Sequence, residues 1–188
     1  MINWEQIDKE ILGWMSYDEA KCLFDSAINC PLNRVLEFGC FVGKSTSVLA
    51  SAMKQRNGLV MTFDLFPKGS KFWDAKGTLV GDTYIEMWQN MVKLGLDNYV
   101  ISIKGNTRDT VPMVEGKFGM VFIDGGHTTE YIMPQAKYAW EHTLKGGYII
   151  FHDYVNKEWG DVKICVDELV KEWNVTPTFV GTMAVIKR

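Results

Sequence analysis

The hydrophobic positions of this chain switch repeatedly between two periods, one helical and one extended. Ser16 and Glu19 have capping-box spacing, and Ala20, Leu23, Phe24, Ala27 and Ile28 follow at helical intervals, predicting an amphipathic helix that stops at Cys30-Pro31. Arg34-Val35-Leu36-Glu37-Phe38 is short and apolar and meets Gly39 at once, the pattern of a buried strand running into a tight turn. Helical spacing resumes after Gly43 through Val48, Leu49, Ala52 and Met53 and ends at Asn57-Gly58. Further strands are predicted at Leu59–Phe63, Tyr99–Lys104, Met120–Ile123 and Tyr148–Phe151, and helices at Asp82–Leu94, Thr107–Glu115, Thr129–Thr143 and Asp161–Trp173.

Strands separated by helices imply a mostly parallel sheet covered on both faces through right-handed crossovers. The tail differs: Val175–Val180, Gly181-Thr182 and Met183–Lys187 read as an antiparallel hairpin with a two-residue turn. The predicted fold class is therefore α/β, a single doubly wound, mostly parallel sheet with a C-terminal antiparallel hairpin at one edge. No repeat, low-complexity tract or proline cluster marks a boundary, so residues 1–188 read as one domain, with a helical segment over 1–30 and the α/β core over 31–188.

Composition narrows the function classes. A chain of 188 residues suffices for one sizeable core, and a net charge of −3 with interspersed signs gives no basic footprint for nucleic acid or an anionic membrane surface. No apolar run approaches the roughly 20 residues that cross a bilayer. Met1–Glu10 carries Glu5, Asp8 and Glu10 in place of the basic and apolar regions of a secretory signal. Cys22, Cys30, Cys40 and Cys165 have no CxxC spacing and read as reduced thiols of a cytoplasmic protein. The aromatic load of 7 Trp, 7 Tyr and 10 Phe divides into Trp140 and Trp173, expected in the core, and Phe41, Phe72, Trp73 and Trp159, expected around a pocket.

In doubly wound sheets ligands bind beyond the carboxyl ends of the strands. Four of the five parallel strand ends carry an acidic residue there: Glu37, Asp64, Asp124 and Asp153. Gly39 and Gly43 allow a sharp strand-to-helix turn beside a helix N-terminus, where a ligand can approach the backbone. Gly43-Lys44-Ser45-Thr46 suggests a phosphate-binding loop, and with it a phosphotransferase or NTPase, but Phe38 stands where that motif needs its first glycine. Asp64 suits an acceptor for ribose hydroxyls or a plain turn aspartate. Leu65–Gly81 is long for a strand-to-helix connection and holds Pro67, Gly69, Phe72, Trp73 and Gly77, so it is expected to cover a ligand or to pack locally.

Val35-Leu36-Glu37-Phe38-Gly39-Cys40-Phe41-Val42-Gly43-Lys44-Ser45 resembles the first motif of class I S-adenosylmethionine-dependent methyltransferases, especially the catechol-type and the small-molecule and sugar O-methyltransferases. Asp64, Gly105-Asn106-Thr107-Arg108-Asp109, Phe122-Ile123-Asp124-Gly125-Gly126-His127, Leu144-Lys145-Gly146-Gly147 and His152-Asp153-Tyr154 follow in the family's order. Asp161-Val162-Lys163 with Val166-Asp167-Glu168-Leu169 resembles the helix that comes next. The resemblance implies a Rossmann-like methyltransferase fold with S-adenosylmethionine as cofactor. Glu37, Gly39, Phe41, Gly43 and Ser45 would surround its methionine part, Asp64 would hold the ribose, Asn106 and Thr107 would lie by the adenine, and Asp124 would also border the cofactor.

The implied reaction is methyl transfer to a hydroxyl of a small molecule or sugar, with two alternatives: the phosphotransferase above, or a non-catalytic module that only binds the cofactor. Asp124 and Asp153 could ligate a divalent metal (Mg, Mn or other). In the catechol-type family the second site is an acidic residue followed by Asn or Asp, whereas here His152 precedes Asp153, which leaves room for manganese, iron or zinc, or for a site without metal. His127, where catechol-type enzymes carry their catalytic lysine, is the candidate general base with Asp124 as its catalytic neighbour, or else a helix cap or a brace for Asp124. His142 reads as a surface residue. The N-terminal helix either covers the sheet or pairs with another subunit, so a homo-oligomer stays open.

Overall fold

Alternate side chains of the buried strands feed two separate cores. Val35 packs on one side of the sheet and Leu36 on the other; Met120, Phe122 and Ile150 join Val35, while Val121, Ile123, Ile149 and Phe151 join Leu36. This is the period-2 consequence of a strand buried on both faces. Fully buried Phe38, Phe63, Phe66, Phe118, Phe122 and Phe151 are the largest contributors, each stabilising by roughly 2–3 kcal/mol relative to exposure.

The structure, a computed structural model, describes residues 3–66, 72–73 and 79–188, with backbone alone at 72–73 and 79–80. Two helices, α1 (Trp4–Glu10) and α2 (Tyr17–Asn29), precede β1 (Arg34–Phe38), α3 (Lys44–Gln55) and β2 (Leu59–Asp64). A small antiparallel pair, β3 (Phe72–Trp73) and β4 (Leu79–Val80), leads to α4 (Thr83–Lys93) and β5 (Val100–Lys104). Then follow α5 (Thr107–Thr110), β6 (Phe118–Ile123), α6 (Thr129–His142), β7 (Thr143–Phe151), α7 (Gly160–Glu172), β8 (Thr178–Val180) and β9 (Met183–Lys187).

The seven-stranded sheet has the order β5-β2-β1-β6-β7-β9-β8. The first five strands in that order are parallel, and β9 runs antiparallel to both its neighbours. The chain winds outward from β1 in one direction and from β6 in the other, so the crevice expected at a topological switch point opens between their carboxyl ends.

The doubly wound sheet and terminal hairpin agree with the sequence reading, with five differences of detail. The hairpin does not simply extend the edge: β9 inserts between β7 and β8, pairing on both sides. The helix expected over Thr107–Glu115 shortens to Thr107–Thr110 and tightens into a 3-10 turn at Val111–Met113, because Pro112 supplies no N–H. β7 begins at Thr143, directly from α6, and α1 carries no amphipathic signal long enough to read. Within the Leu65–Gly81 connection the backbone pair β3–β4 forms, while Pro67, Gly69, Gly77 and the side chains of Phe72 and Trp73 lie outside the described residues.

Trp140 and Trp173 stack on each other with centroids 4.4 Å apart, half-buried against the core beneath α6 and α7. His142 stacks on Tyr138 and its Nδ1 lies 2.9 Å from the Tyr138 carbonyl oxygen, so it belongs to the end of α6 and not to the sheet's ligand edge. Among the described residues no helix is long and apolar enough to cross a membrane.

Candidate functional site

The turn after β1 is built by carboxylates from two strands. Glu37 is completely buried; Ser45 Oγ and Thr46 Oγ1, both from the first turn of α3, donate to its two oxygens at 2.6 Å. Burial pushes its pKa up to about 7, and the two hydroxyl donors pull the other way without cancelling that effect. Asp64, at the end of β2, accepts from the backbone N–H groups of Cys40 and Phe41 at one oxygen and from Phe66 at the other, all at 2.9 Å. Those bonds hold Phe41 in its left-handed conformation (φ 50°), with its ring 5.9 Å from that of exposed Trp14. Gly39 has φ 86°, and a Cβ there would collide with the backbone carbonyl of Asp124. Its glycine identity therefore follows from the close approach of the β1 and β6 turns. Gly43 caps α3 in a left-handed conformation without a side-chain hydrogen bond.

Lys44 does not reach into this turn. Its buried ammonium donates to Asp8 at 2.7 Å and to the Gly13 carbonyl at 3.3 Å, over the ring of Trp4, so it ties the N-terminal segment to α3. A phosphate-binding lysine is thereby removed from the loop, and the phosphotransferase reading loses its central residue.

Beyond β5, Asn106 caps α5 by accepting from Arg108 N–H, and Thr107 Oγ1 accepts from Gln135 of α6 at 2.8 Å.

The ends of β6 and β7 bring together what the sequence separates by about 25 residues. His152 is buried, and its Nδ1 lies 3.2 Å from Asp124 Oδ1 and 3.5 Å from Asp153 Oδ2. Burial pushes the imidazole pKa down, but the charges and hydrogen bonds of Asp124 and Asp153 outweigh it and hold it up at about 10. Asp153, itself left-handed at φ 59°, also meets His127 Nε2 at 3.0 Å and accepts from Asn156 at its other oxygen. Burial would raise the Asp153 pKa, yet its three hydrogen-bonding partners hold it far below the usual carboxylate range. The exposed ring of Trp159 stacks on His127 at 4.3 Å. Tyr154, which follows Asp153, turns away: its hydroxyl donates to Asp167 of α7. Asp161, at the start of the same helix, accepts from Thr129 N–H and Oγ and so anchors α6.

Asp124, His152 and Asp153 offer two oxygens and one nitrogen that lie within 4.8 Å of one another. That donor set fits a divalent cation tolerant of imidazole, such as manganese, iron or zinc, better than it fits magnesium.

The sequence reading missed Glu19. Its capping-box spacing assigns it to the helix start, and the structure confirms the box. The same carboxylate is also buried against Thr182 of the hairpin and lies 3.7 Å from His152 Nε2. No local signal announces those neighbours, since they come from residues more than a hundred positions away in sequence.

A family described as a methyltransferase domain matches residues 36–154. The uncharacterized protein R132 of Acanthamoeba polyphaga mimivirus is 26% identical over 138 residues, covering 73% of this chain; the match spans 59% of that relative's length. Among solved structures, cofactor-bound Rv0187 from MTB superposes with a TM-score of 0.74 at 20% identity, covering 98% of this chain and 86% of that one. The O-methyltransferase TomG from Streptomyces achromogenes, solved with S-adenosylmethionine, gives 0.70 at 20% identity, covering 97% and 87%. An O-methyltransferase from Bacillus cereus, solved with S-adenosylhomocysteine, gives 0.72 at 16% identity, covering 98% and 88%.

Proposed function

Because the chain belongs to the methyltransferase-domain family and carries the class I S-adenosylmethionine-dependent fold, we propose that it transfers the cofactor's methyl group to a hydroxyl of a small molecule or sugar. The observation that carries this reading is the convergence of Asp124, His127, His152 and Asp153 at the crevice between two strand ends. In the reaction the acceptor oxygen attacks the methyl carbon, the carbon–sulfur bond breaks with its electron pair going to sulfur, and the hydroxyl proton must leave. An ionised Asp153 only accepts hydrogen bonds, so its contact at Nε2 requires the proton of neutral His127 to sit there. Nδ1 of His127 is then the atom that takes the acceptor's proton. Trp159, stacked on the ring, keeps it from rotating and gives the acceptor an aromatic wall.

The turn beyond β1, with Phe41, Gly39 and Asp64, cradles the cofactor, and Asn106 and Thr107 flank its adenine. Asp124, His152 and Asp153 would hold a divalent cation, which when bound lowers the pKa of the acceptor hydroxyl. The four free cysteines, with thiol pKa values pushed up by burial, support a reduced, cytoplasmic setting.

Calorimetry with S-adenosylmethionine and with ATP tests the cofactor; saturable binding of the first alone is expected. Transfer of a radiolabelled methyl group across a panel of hydroxyl acceptors, with and without chelator, tests the chemistry. Binding without turnover on any acceptor would favour a module that only holds the cofactor, and turnover indifferent to chelator would remove the cation.

A further inference from the structure

We infer that Glu19, on the N-terminal helix α2, is a positioning residue for His152: its buried carboxylate faces Nε2 and keeps Nδ1 directed at Asp124 and Asp153. The inference rests on the cation reading of that cluster. A capping box needs only that Glu19 accept from Ser16, and a glutamine serves there equally well. Here the carboxylate is 5% exposed and makes four hydrogen bonds. Ser16 N–H and Oγ donate to Oε2 at 2.8 Å, while Thr182 N–H and Oγ donate to Oε1 at 2.7 and 2.8 Å. Two backbone donors on opposite oxygens call for an acceptor at both ends, which glutamine cannot supply. The four bonds leave the group no freedom to rotate, so its charge has a fixed direction.

That direction is His152. The imidazole is 7% exposed and its Nε2 has no hydrogen-bond partner, while Oε1 of Glu19 stands 3.7 Å away, within ion-pair reach. A carboxylate behind one ring nitrogen favours a proton there, so a cation that binds at the other nitrogen displaces only the proton facing Asp124 and Asp153. The grip extends along the chain. Thr182 accepts at its carbonyl from Tyr154 N–H at 2.7 Å, so the hairpin turn that fixes Glu19 also fixes the residue after Asp153. The turn admits this because residue 181 is glycine at φ 56°; a side chain there would run into the Glu19 carboxylate. The N-terminal helix, the hairpin and the end of β7 thus form one clamp around His152.

The test uses the full chain and Mn2+ alone, titrated calorimetrically, with thermal unfolding followed for every variant. Glu19→Gln is expected to weaken Mn2+ binding by about tenfold or more. Thr182→Val, which loosens the hairpin contact but keeps the carboxylate, is expected to stay within about twofold. Equal binding by E19Q and the wild type overturns the role of Glu19, as does an equal loss in T182V, which would assign the effect to hairpin packing. Wild-type protein that takes up no Mn2+ overturns the cation reading and this inference with it. In 15N-histidine spectra of the Zn2+-loaded wild type, the His152 proton is expected on Nε2; a proton on Nδ1 overturns the inference even where E19Q does not fold.

Discussion

Two strand-end regions of this protein each carry a pair of acidic residues, Glu37 with Asp64 and Asp124 with Asp153, and their surroundings differ in kind. Beyond β1 and β2, Glu37 and Asp64 are satisfied by the chain's own donors: hydroxyls of α3 in one case, backbone N–H groups of the adjoining turns in the other. Beyond β6 and β7, Asp124 and Asp153 face two imidazoles and keep partial exposure. In the proposed function, the same residue type is a brace where fixed neutral donors surround it and a reactive group where its partners can exchange protons. Position at a strand end does not separate the two, but the donors do.

Breaking the second region should change chemistry far more than fold. Asp153→Asn keeps a residue that tolerates the left-handed conformation but removes the charge that orients His127 and His152. Methyl transfer is expected to fall by about 10²- to 10⁴-fold, measured as kcat/KM at saturating cofactor, while the thermal midpoint moves by a few degrees. A midpoint collapse without a specific rate effect would make Asp153 a brace like Asp64.

Breaking the first region should do the reverse. Gly39→Ala places a side chain at φ 86° against the Asp124 carbonyl, and chemical denaturation should register a loss of about 3 kcal/mol or more. Unchanged stability would mean that the two turns separate easily and do not pack as described.

The smallest effect concerns Glu37. Its folded pKa, about 7, lies above the reference value of 4.5, so between those values the folded state binds more protons than the unfolded chain. The contribution of Glu37 to stability therefore falls by about 3 kcal/mol at most as pH rises from about 4.5 to about 7, and is level above that. Glu37→Gln should flatten this segment of the stability–pH curve while leaving acid unfolding below pH 4 in place. A slope that survives the substitution would place the titration on another group. His152 has the same sign in a higher pH range, because its folded pKa also lies above the reference value. Its pKa is held at about 10 by its aspartates, so the stability it contributes is complete below about 6.5 and is lost as pH rises through 10.

Much of the architecture was legible because each element announces itself locally. Val35-Leu36-Glu37-Phe38 is apolar on both faces, which only a buried strand requires, and Ser16 with Glu19 marks a helix start within four residues. The shortened α5 is legible too in principle, since Pro112 lies inside the helical pattern over Thr107–Glu115. Motif order likewise places Asp124, His127, His152 and Asp153 at or just beyond the ends of two strands.

What the amino-acid sequence determined by itself was the alternation of elements, the two-faced strands and the acidic strand ends, because these depend on interactions between near neighbours. The tertiary structure alone decided the rest. It turned Lys44 toward Asp8, inserted β9 between β7 and β8, satisfied Asp64 with the N–H groups of a distant turn and set Glu19 behind His152. Each of these is a pairing across a long stretch of chain, and a residue's chemistry follows from which charges and donors it meets, a matter that local pattern leaves open.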